Sequence, residues 1–259
     1  MPTATINIQL KEGQYVYFAS DFHLGIPDRA SSLERERKII RWLDEIKDTA
    51  GHIFLVGDIF DFWYEYRKVI PKGFIRFQGK IAELVDAGIP LTFFSGNHDI
   101  WMFDYFTEEL SIPVYRRTQE VKINGLDLQV GHGDGLGPGD HSYKILQKIF
   151  ESKLCQWLFS RLHPNLAIGF GHAWSQSRKK KHHFKAHPFI QKEKEFLWQY
   201  CVAEEQKSHH DYYLFGHRHI PMNLEVTPNA RYINIGEWLW SCTYARCDGQ
   251  EVELLTFEE

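Results

Sequence analysis

Cysteine is scarce and unpatterned. Cys155, Cys201, Cys242 and Cys247 are the only four in 259 residues, and no two stand in a CxxC spacing, which argues against a zinc knuckle or a thioredoxin-like site. Reduced thiols and a cytoplasmic setting are the expectation. No run of about 18 apolar residues occurs, so no membrane-spanning helix is expected. The amino terminus has no charged segment followed by an apolar one, so no secretory leader is expected. An excess of one charge is missing too: 30 Lys and Arg against 34 Asp and Glu leave a net charge of -4. No global field draws such a chain to nucleic acid, and a nuclease is disfavoured. Low-complexity segments and internal repeats are absent. A content of 43% hydrophobic and 25% charged residues describes a globular chain that buries a real core.

Tyr15 to Ala19, Ile53 to Val56 and Leu91 to Phe94 are short apolar runs that stop at Ser20-Asp21, Gly57-Asp58 and Gly96-Asn97-His98-Asp99. They read as buried strands. Between them lie helical patterns. Ser31 and Glu34 form a candidate capping box ahead of Ile39, Ile40, Leu43 and Ile46, and a second helix across Phe77 to Ala87 is closed by Gly88. In open α/β sheets ligands bind at the carboxyl ends of strands, so this alternation predicts converging polar clusters. After a short helix near Trp101 to Leu110 the period changes. Val121, Ile123, Asn124-Gly125, Leu126, Leu128 and Val130 predict a hairpin with a type I′ turn, running into Gly131-His132-Gly133-Asp134. Asp211 to Phe215 ends in Gly216-His217-Arg218-His219, followed by Arg231 to Ile235 and a hairpin across Asp248-Gly249. These portions predict a second sheet. From about Pro138 to Lys207 the pattern is mostly helical, which predicts an insertion within one domain spanning 1–259.

The 14 histidines gain meaning from their positions. Asp21-x-His23, Gly57-Asp58-x-x-Asp61, Gly96-Asn97-His98-Asp99, Gly131-His132 and Gly216-His217-x-His219 offer carboxylates, an amide oxygen and imidazoles, with no thiolate. That chemistry suits Mn²⁺, Fe²⁺, Co²⁺ or Zn²⁺. The set counts as seven ligands. With one carboxylate bridging, they supply four contacts to each of two metals and leave room for a water or hydroxide. Two cations about 3.5–4 Å apart acidify and orient a water and neutralise a phosphoryl oxygen, which suits hydrolysis of phosphate esters. Residues two apart on an extended strand end point the same way, so the Asp-x-His and His-x-His pairs are expected to meet metal from strand-like backbone. The glycines before Asp58, Asn97, His132 and His217 allow tight turns and close approach.

In this order the DxH, GDxxD, GNHD, later histidine and GHxH fragments resemble the calcineurin-like metallophosphoesterase superfamily, from Asp21 to His219. The resemblance implies an α/β fold, a four-layer α/β/β/α sandwich of two mixed sheets with a helical cap insertion. It implies one metal on Asp21, His23, Asp58 and His219, and a second on Asp58, Asn97, His132 and His217, with Asp58 bridging. Manganese is the first expectation. His98 is needed by neither set, so it is assigned to protonating the leaving group or stabilising phosphoryl oxygens, with Asp99 orienting it. Asp61 is either a carboxylate behind a ligand or an ordinary acid.

Within that superfamily the chain is similar to the UDP-2,3-diacylglucosamine hydrolase family of lipid A biosynthesis. The likeness lies in the length, in Gly57 to Trp63, His132 to Leu136, Gly216 to Pro221 and Gly236 to Trp238, and in the place of the insertion. The chain departs from the better-known branch in carrying His98 where that branch has arginine. The resemblance implies cleavage at the α-phosphorus of a nucleotide-linked glycolipid, giving UMP and a diacylglucosamine 1-phosphate. It also implies a cap that holds acyl chains, and peripheral contact with the cytoplasmic face of the inner membrane. The insertion's own residues agree. Ile145, Leu146, Ile149, Phe150, Trp157 and Phe159, then Leu166 to Phe170, offer more apolar surface than a lid over a polar substrate needs. Arg178-Lys179-Lys180-Lys181 can meet a diphosphate or lipid headgroups. His141, Trp157, Arg178 and Lys181 are candidate substrate contacts, and Trp63, Trp101 and Trp238 candidate cleft walls. Two other functions stay open: a metallophosphoesterase for a soluble nucleotide or other phosphodiester, and a non-catalytic scaffold of the same fold.

Overall fold

The computed structural model describes residues 5–139, 141–171 and 191–258. One sheet is built from β2 (Tyr15–Ala19), β3 (Ala50–Val56), β4 (Leu91–Phe94), β5 (Val114–Tyr115), β11 (Thr243–Cys247) and β12 (Val252–Thr256), in the order β12-β11-β2-β3-β4-β5. Its β2 to β5 are parallel and β11 and β12 antiparallel. The second sheet contains β1 (Ile6–Ile8), β6 (Gln119–Ile123), β7 (Leu126–Gly131), β8 (Tyr212–Phe215), β9 (Met222–Thr227) and β10 (Ala230–Asn234), in the order β1-β6-β7-β8-β10-β9. It is also mixed. The β6–β7 turn is the expected one, with φ of 49° at Asn124 and 104° at Gly125.

Strand residues are apolar on both sides because both faces are covered. Val16, Phe18, Phe54, Val56 and Phe94 seal against Val121, Ile123, Leu128, Val130, Leu214 and Ile233 of the other sheet. Their alternates Tyr17, Ala19, Ile53, Leu55 and Phe93 pack on α1 (Arg29–Ile46) and α2 (Ile75–Asp86) through Ile39, Trp42, Leu43, Phe77 and Ile81. On the opposite outer face, Leu197 and Cys201 of α7 (Phe196–Glu205) pack on Tyr213, Phe215, Met222 and Tyr232. The layers are α/β/β/α, as expected.

The 138–207 segment therefore has two destinations. Its last helix, α7, is an outer layer of the sandwich. By contrast, α4 (His141–Glu151), α5 (Lys153–Phe159) and α6 (164–171) belong with the loops that follow β3 and β4. There Phe150, Phe159 and Ile168 join Phe62, Tyr64, Ile100 and Trp101 in a separate apolar cluster. Tyr64 Oη donates to the Gln156 carbonyl and Trp101 Nε1 to that of Phe150, both at 2.9 Å. No helix among the described residues is long and apolar enough to cross a membrane.

The expected capping box at Ser31 is displaced. Asp28 is the N-cap of α1 and accepts from Ala30 N at 2.9 Å and Ser31 N at 3.0 Å, which leaves Ser31 inside the first turn. Two further helices are capped by distant acids, because their own N-cap residues supply no side-chain bond. Glu36 of α1 accepts from Arg76 N and Phe77 N at the start of α2. Glu65 accepts from Phe103 N, Asp104 N and Tyr105 N at the start of α3 (Tyr105–Leu110), at 2.7, 2.8 and 3.1 Å, and from Trp63 Nε1 at 2.9 Å. Each such bond to a charged acceptor contributes about 1.5–3 kcal/mol, and the donors left behind lose solvation as well. Glu65→Ala is therefore expected to cost about 3 kcal/mol or more in urea denaturation. An unchanged midpoint would show that Glu65 does not hold the loop.

Candidate metal centre

The strand-end clusters meet at one end of the two sheets. His219 Nε2 stands 3.0 Å from Asp21 Oδ1 and 3.0 Å from His23 Nε2, which lies 3.7 Å from both Asp21 Oδ1 and Asp58 Oδ2. One ligand atom from each of Asp21, His23, Asp58 and His219 falls within 4.8 Å of the others. On the other side, Asp58 Oδ2 is 3.4 Å from His132 Nε2. Asn97 Oδ1 lies 3.2 Å from His132 Nε2 and 2.8 Å from His217 Nδ1. The structure thus brings all seven residues together as two sets of four that share Asp58.

Asp21 and Asp58 are buried, which alone would raise their pKa values. The imidazoles of His219 and His23 beside Asp21, and of His132, His98 and His23 around Asp58, outweigh burial and hold both carboxylates ionised. His217 is pushed down to about 3, by burial first and then by the charge on His132, so its ring is neutral. Second partners aim the rings. His132 Nδ1 donates to the Val56 carbonyl at 2.9 Å, which turns Nε2 toward Asp58 and Asn97. His23 Nδ1 faces Asp61 Oδ1 at 3.4 Å. Asp21 Oδ1 is buried and faces imidazole nitrogen, His219 Nε2 at 3.0 Å and His23 Nε2 at 3.7 Å. Ionised oxygens, an amide oxygen and imidazole nitrogens aimed at common centres, with no sulfur, fit hard-to-borderline divalent cations.

The backbone achieves this differently from the expected extended strand ends. Asp21, His23, Asp58, His217 and His219 have φ of 57°, 45°, 52°, 67° and 55°. The Asp-x-His and His-x-His pairs therefore converge through left-handed kinks just past the strands, not through strand alternation. Such conformations cost of order 1 kcal/mol or more each in residues with a Cβ, and Asp and His are among the types that tolerate them. The preceding glycines matter as expected. A Cβ on Gly96 would fall onto Asp58 Oδ1 and lie 2.6 Å from Asp58 N and 2.8 Å from His132 Nε2.

His98 lies at the edge, its ring 4.9 Å from that of His23, and its backbone N donates to Asp58 Oδ1 at 2.8 Å. The expectation that Asp99 orients it is corrected. His98 Nδ1 donates to the Asp61 carbonyl at 2.9 Å and has Asp61 Oδ1 at 3.6 Å. Asp99 points into the protein and accepts from Gly96 N, Ile59 N, Phe60 N and Asp58 N at 2.6, 2.8, 3.3 and 3.3 Å. It ties the GD and GNHD loops together. Burial and the nearby Asp58 charge push its pKa up to about 7. Asp61 was visible in the GDxxD spacing, but its partner was not.

The expected substrate contacts fare unevenly. Trp157 is 52% exposed on α5, with the Arg161 guanidinium 4.9 Å above its ring. It belongs to a row of exposed apolar side chains that includes Ile145, Ile149, Leu154, Leu158 and Leu166. His141 opens α4, but its side chain, like Arg178 and Lys181, lies outside the described residues. Trp63 and Trp238 are core residues under α1 and α2, and Trp101 is buried beneath α4 and α5, so none of the three is an open wall at the metal centre. A contact absent from the expectations joins α4 to the centre: Tyr143 Oη donates to Asp134 Oδ2 at 2.5 Å, and the Tyr143 ring lies 6.3 Å from that of His217.

This arrangement defines a metal-dependent hydrolase, and the family model for calcineurin-like phosphoesterases matches residues 15–221. The chain belongs to that family. A relative from Porphyromonas gingivalis named UDP-2,3-diacylglucosamine hydrolase is 34% identical over 94% of this chain and 98% of its own. Another of that name, from Shewanella baltica, is 23% identical over 93% of this chain and 98% of its own. Among solved structures, Vps29 of Chaetomium thermophilum aligns with 96% of this chain and 100% of its own at 13% identity, with a TM-score of 0.45.

Because the added methyl displaces Asp58 and His132 together, Gly96→Ala is expected to fold yet lower divalent-metal affinity about 10–100-fold. Metal titration followed by calorimetry measures it. Parent-like affinity would mean that the close approach at Gly96 is not what places these side chains.

Proposed function

We propose that this chain hydrolyses the pyrophosphate of UDP-2,3-diacylglucosamine at the α-phosphorus, releasing UMP and 2,3-diacylglucosamine 1-phosphate. In this reading Asp21, His23, Asp58 and His219 hold one divalent cation and Asp58, Asn97, His132 and His217 a second, with manganese preferred. The observation that carries it is the sharing of Asp58 by two four-residue sets. The glycolipid is supported by the relatives' name and by the exposed apolar side chains from Ile145 to Phe170. Surface of that kind marks a binding face, and acyl chains would cover it.

When bound, the cations supply an acidified water and neutralise phosphoryl charge. The chain's own residues do the rest. With Nδ1 committed to the Asp61 carbonyl, His98 presents Nε2 to the departing phosphate and supplies a hydrogen bond or a proton. Asp61 is a positioning residue, its carboxylate facing Nδ1 of both His23 and His98. Trp157 meets acyl chains, while His141, Arg178 and Lys181 meet the polar part of the substrate or anionic headgroups. A lipid substrate also brings the protein to the cytoplasmic face of a membrane as a peripheral visitor.

Release of UMP from UDP-2,3-diacylglucosamine with Mn²⁺, followed by chromatography and abolished by a chelator, is the test. Cleavage of soluble phosphodiesters with the glycolipid untouched would overturn the substrate. His98→Gln is expected to lower kcat about 100–10,000-fold while metal content stays at the parent level. Parent-like turnover would remove His98 from the chemistry.

A further inference from the structure

A concavity of about 650 Å³ lies between α1 and the 237–242 loop, lined by Arg35, Arg37, Lys38, Arg41, Trp238 and Trp240 among others. Among the described residues its lining holds four cations and one acid, Glu34; Arg35 and Arg41 are engaged by other groups, so Arg37 and Lys38 are the cations that face a ligand. Arg35 is structural: its Nε donates to the Phe22 carbonyl at 2.7 Å and its Nη2 to those of His23 and Ile26 at 2.6 Å. Arg37 is exposed and Lys38 half-buried on the same wall.

On the rim, Trp240 is 64% exposed. That exposure is built. The Glu237 carboxylate accepts from the backbone N of Leu239, Trp240 and Ser241 and from Ser241 Oγ, so the turn that presents the indole is fixed. The groove shares both of its loops with the metal centre, since Trp238 N donates to the Asp21 carbonyl at 3.2 Å and Arg35 holds the His23 carbonyl. It therefore belongs to the end of the sandwich that carries the centre. An indole beside cations is the side-chain pairing that settles at a lipid–water interface, ring among the headgroups and charges on phosphate.

We propose that this groove docks on the phosphate headgroups of anionic phospholipid in a bilayer, with Arg37 and Lys38 meeting phosphate and Trp240 entering the interfacial layer. The membrane then lies against the end of the molecule that carries the metal centre. The inference extends the proposed lipid substrate, but its readout is binding, so failed turnover and failed docking are separate results.

Flotation of the full chain with vesicles of phosphatidylcholine, alone or mixed with phosphatidylglycerol, tests it. The parent is expected to float only with the mixed vesicles and to be released by salt. Arg37→Gln and Lys38→Gln are each expected to lower partition about fivefold, and together about thirtyfold, at about 1 kcal/mol per cation. Trp240→Ser lowers it further, and melting midpoints equal to the parent's show that the variants fold. Inorganic phosphate or UMP at matched ionic strength should leave flotation unchanged. Displacement by either would show a pocket for a free phosphate ligand and overturn the docking. Equal flotation of parent and double variant, loss only on Trp157→Ser, or a dimer that Trp240→Ser dissociates would overturn it too.

Discussion

Two ionised carboxylates, Asp21 and Asp58, are buried in the midst of four imidazoles on backbone that is itself strained. Taking such charges from water costs several kcal/mol per ion unless every lone pair finds a partner. The fold supplies those partners from both sheets. His217 N donates to Asp21 Oδ2 at 3.0 Å and His98 N to Asp58 Oδ1 at 2.8 Å. Ser20 Oγ donates its single proton to Asp21 Oδ2, with the Val56 carbonyl 3.0 Å away as the alternative acceptor. Since Asp21, Asp58 and His98 follow strands of one sheet and His132, His217 and His219 strands of the other, the centre exists only where the two sheets are sealed face to face. The apolar layer between them is what makes the polar cluster possible.

The loops that carry these residues are held partly by backbone pairing past the strand ends, as from His23 N to the Asp58 carbonyl and Leu24 N to that of Ile59, and partly by acids. Asp99, Glu65, Glu36 and Glu237 each collect backbone N–H groups that would otherwise be buried without acceptors. A parallel strand cannot turn straight back, so its exit loop runs across the sheet end with few ladder partners. One carboxylate with several lone pairs satisfies several donors at once. This explains why buried acids outnumber those the chemistry uses, and why they sit beside the centre.

Much of this was readable in the chain. Apolar runs that stop at polar clusters locate strands wherever both faces are covered; the residue types mark those clusters as suited to metal, and the family resemblance picks the seven candidate ligands out of them. What failed depends on backbone direction. His98 and Asp99 are neighbours in sequence, which suggested a pair, yet neighbours on a tight turn point apart and Asp61, from another loop, takes the place beside His98. The left-handed kinks at Asp21 and His217 are invisible because they arise from tertiary contacts, not from a residue preference. The role of α7 was hidden for a related reason. Leu197 and Cys201 give one buried ridge, but nothing in their spacing says whether that ridge meets a cap or a sheet.

Helices α4 and α5 are not an independent lid, and one reason is a buried acid. Asp134 lies two residues beyond His132 on the same loop, and burial raises its pKa. Tyr143 Oη and Gln147 Nε2 both reach its Oδ2, at 2.5 and 3.2 Å. Burial makes an unpaired carboxyl there costly, so the first turns of α4 must follow wherever that loop goes. The far side of the same helices is stapled to the GD and GNHD loops by Tyr64 and Trp101. Loops from both sheets thus bear on α4 and α5. A molecule that pressed on the apolar face of those helices would load the polar cluster through hydrogen bonds two to six residues from its candidate ligands, where small displacements are transmitted to coordination.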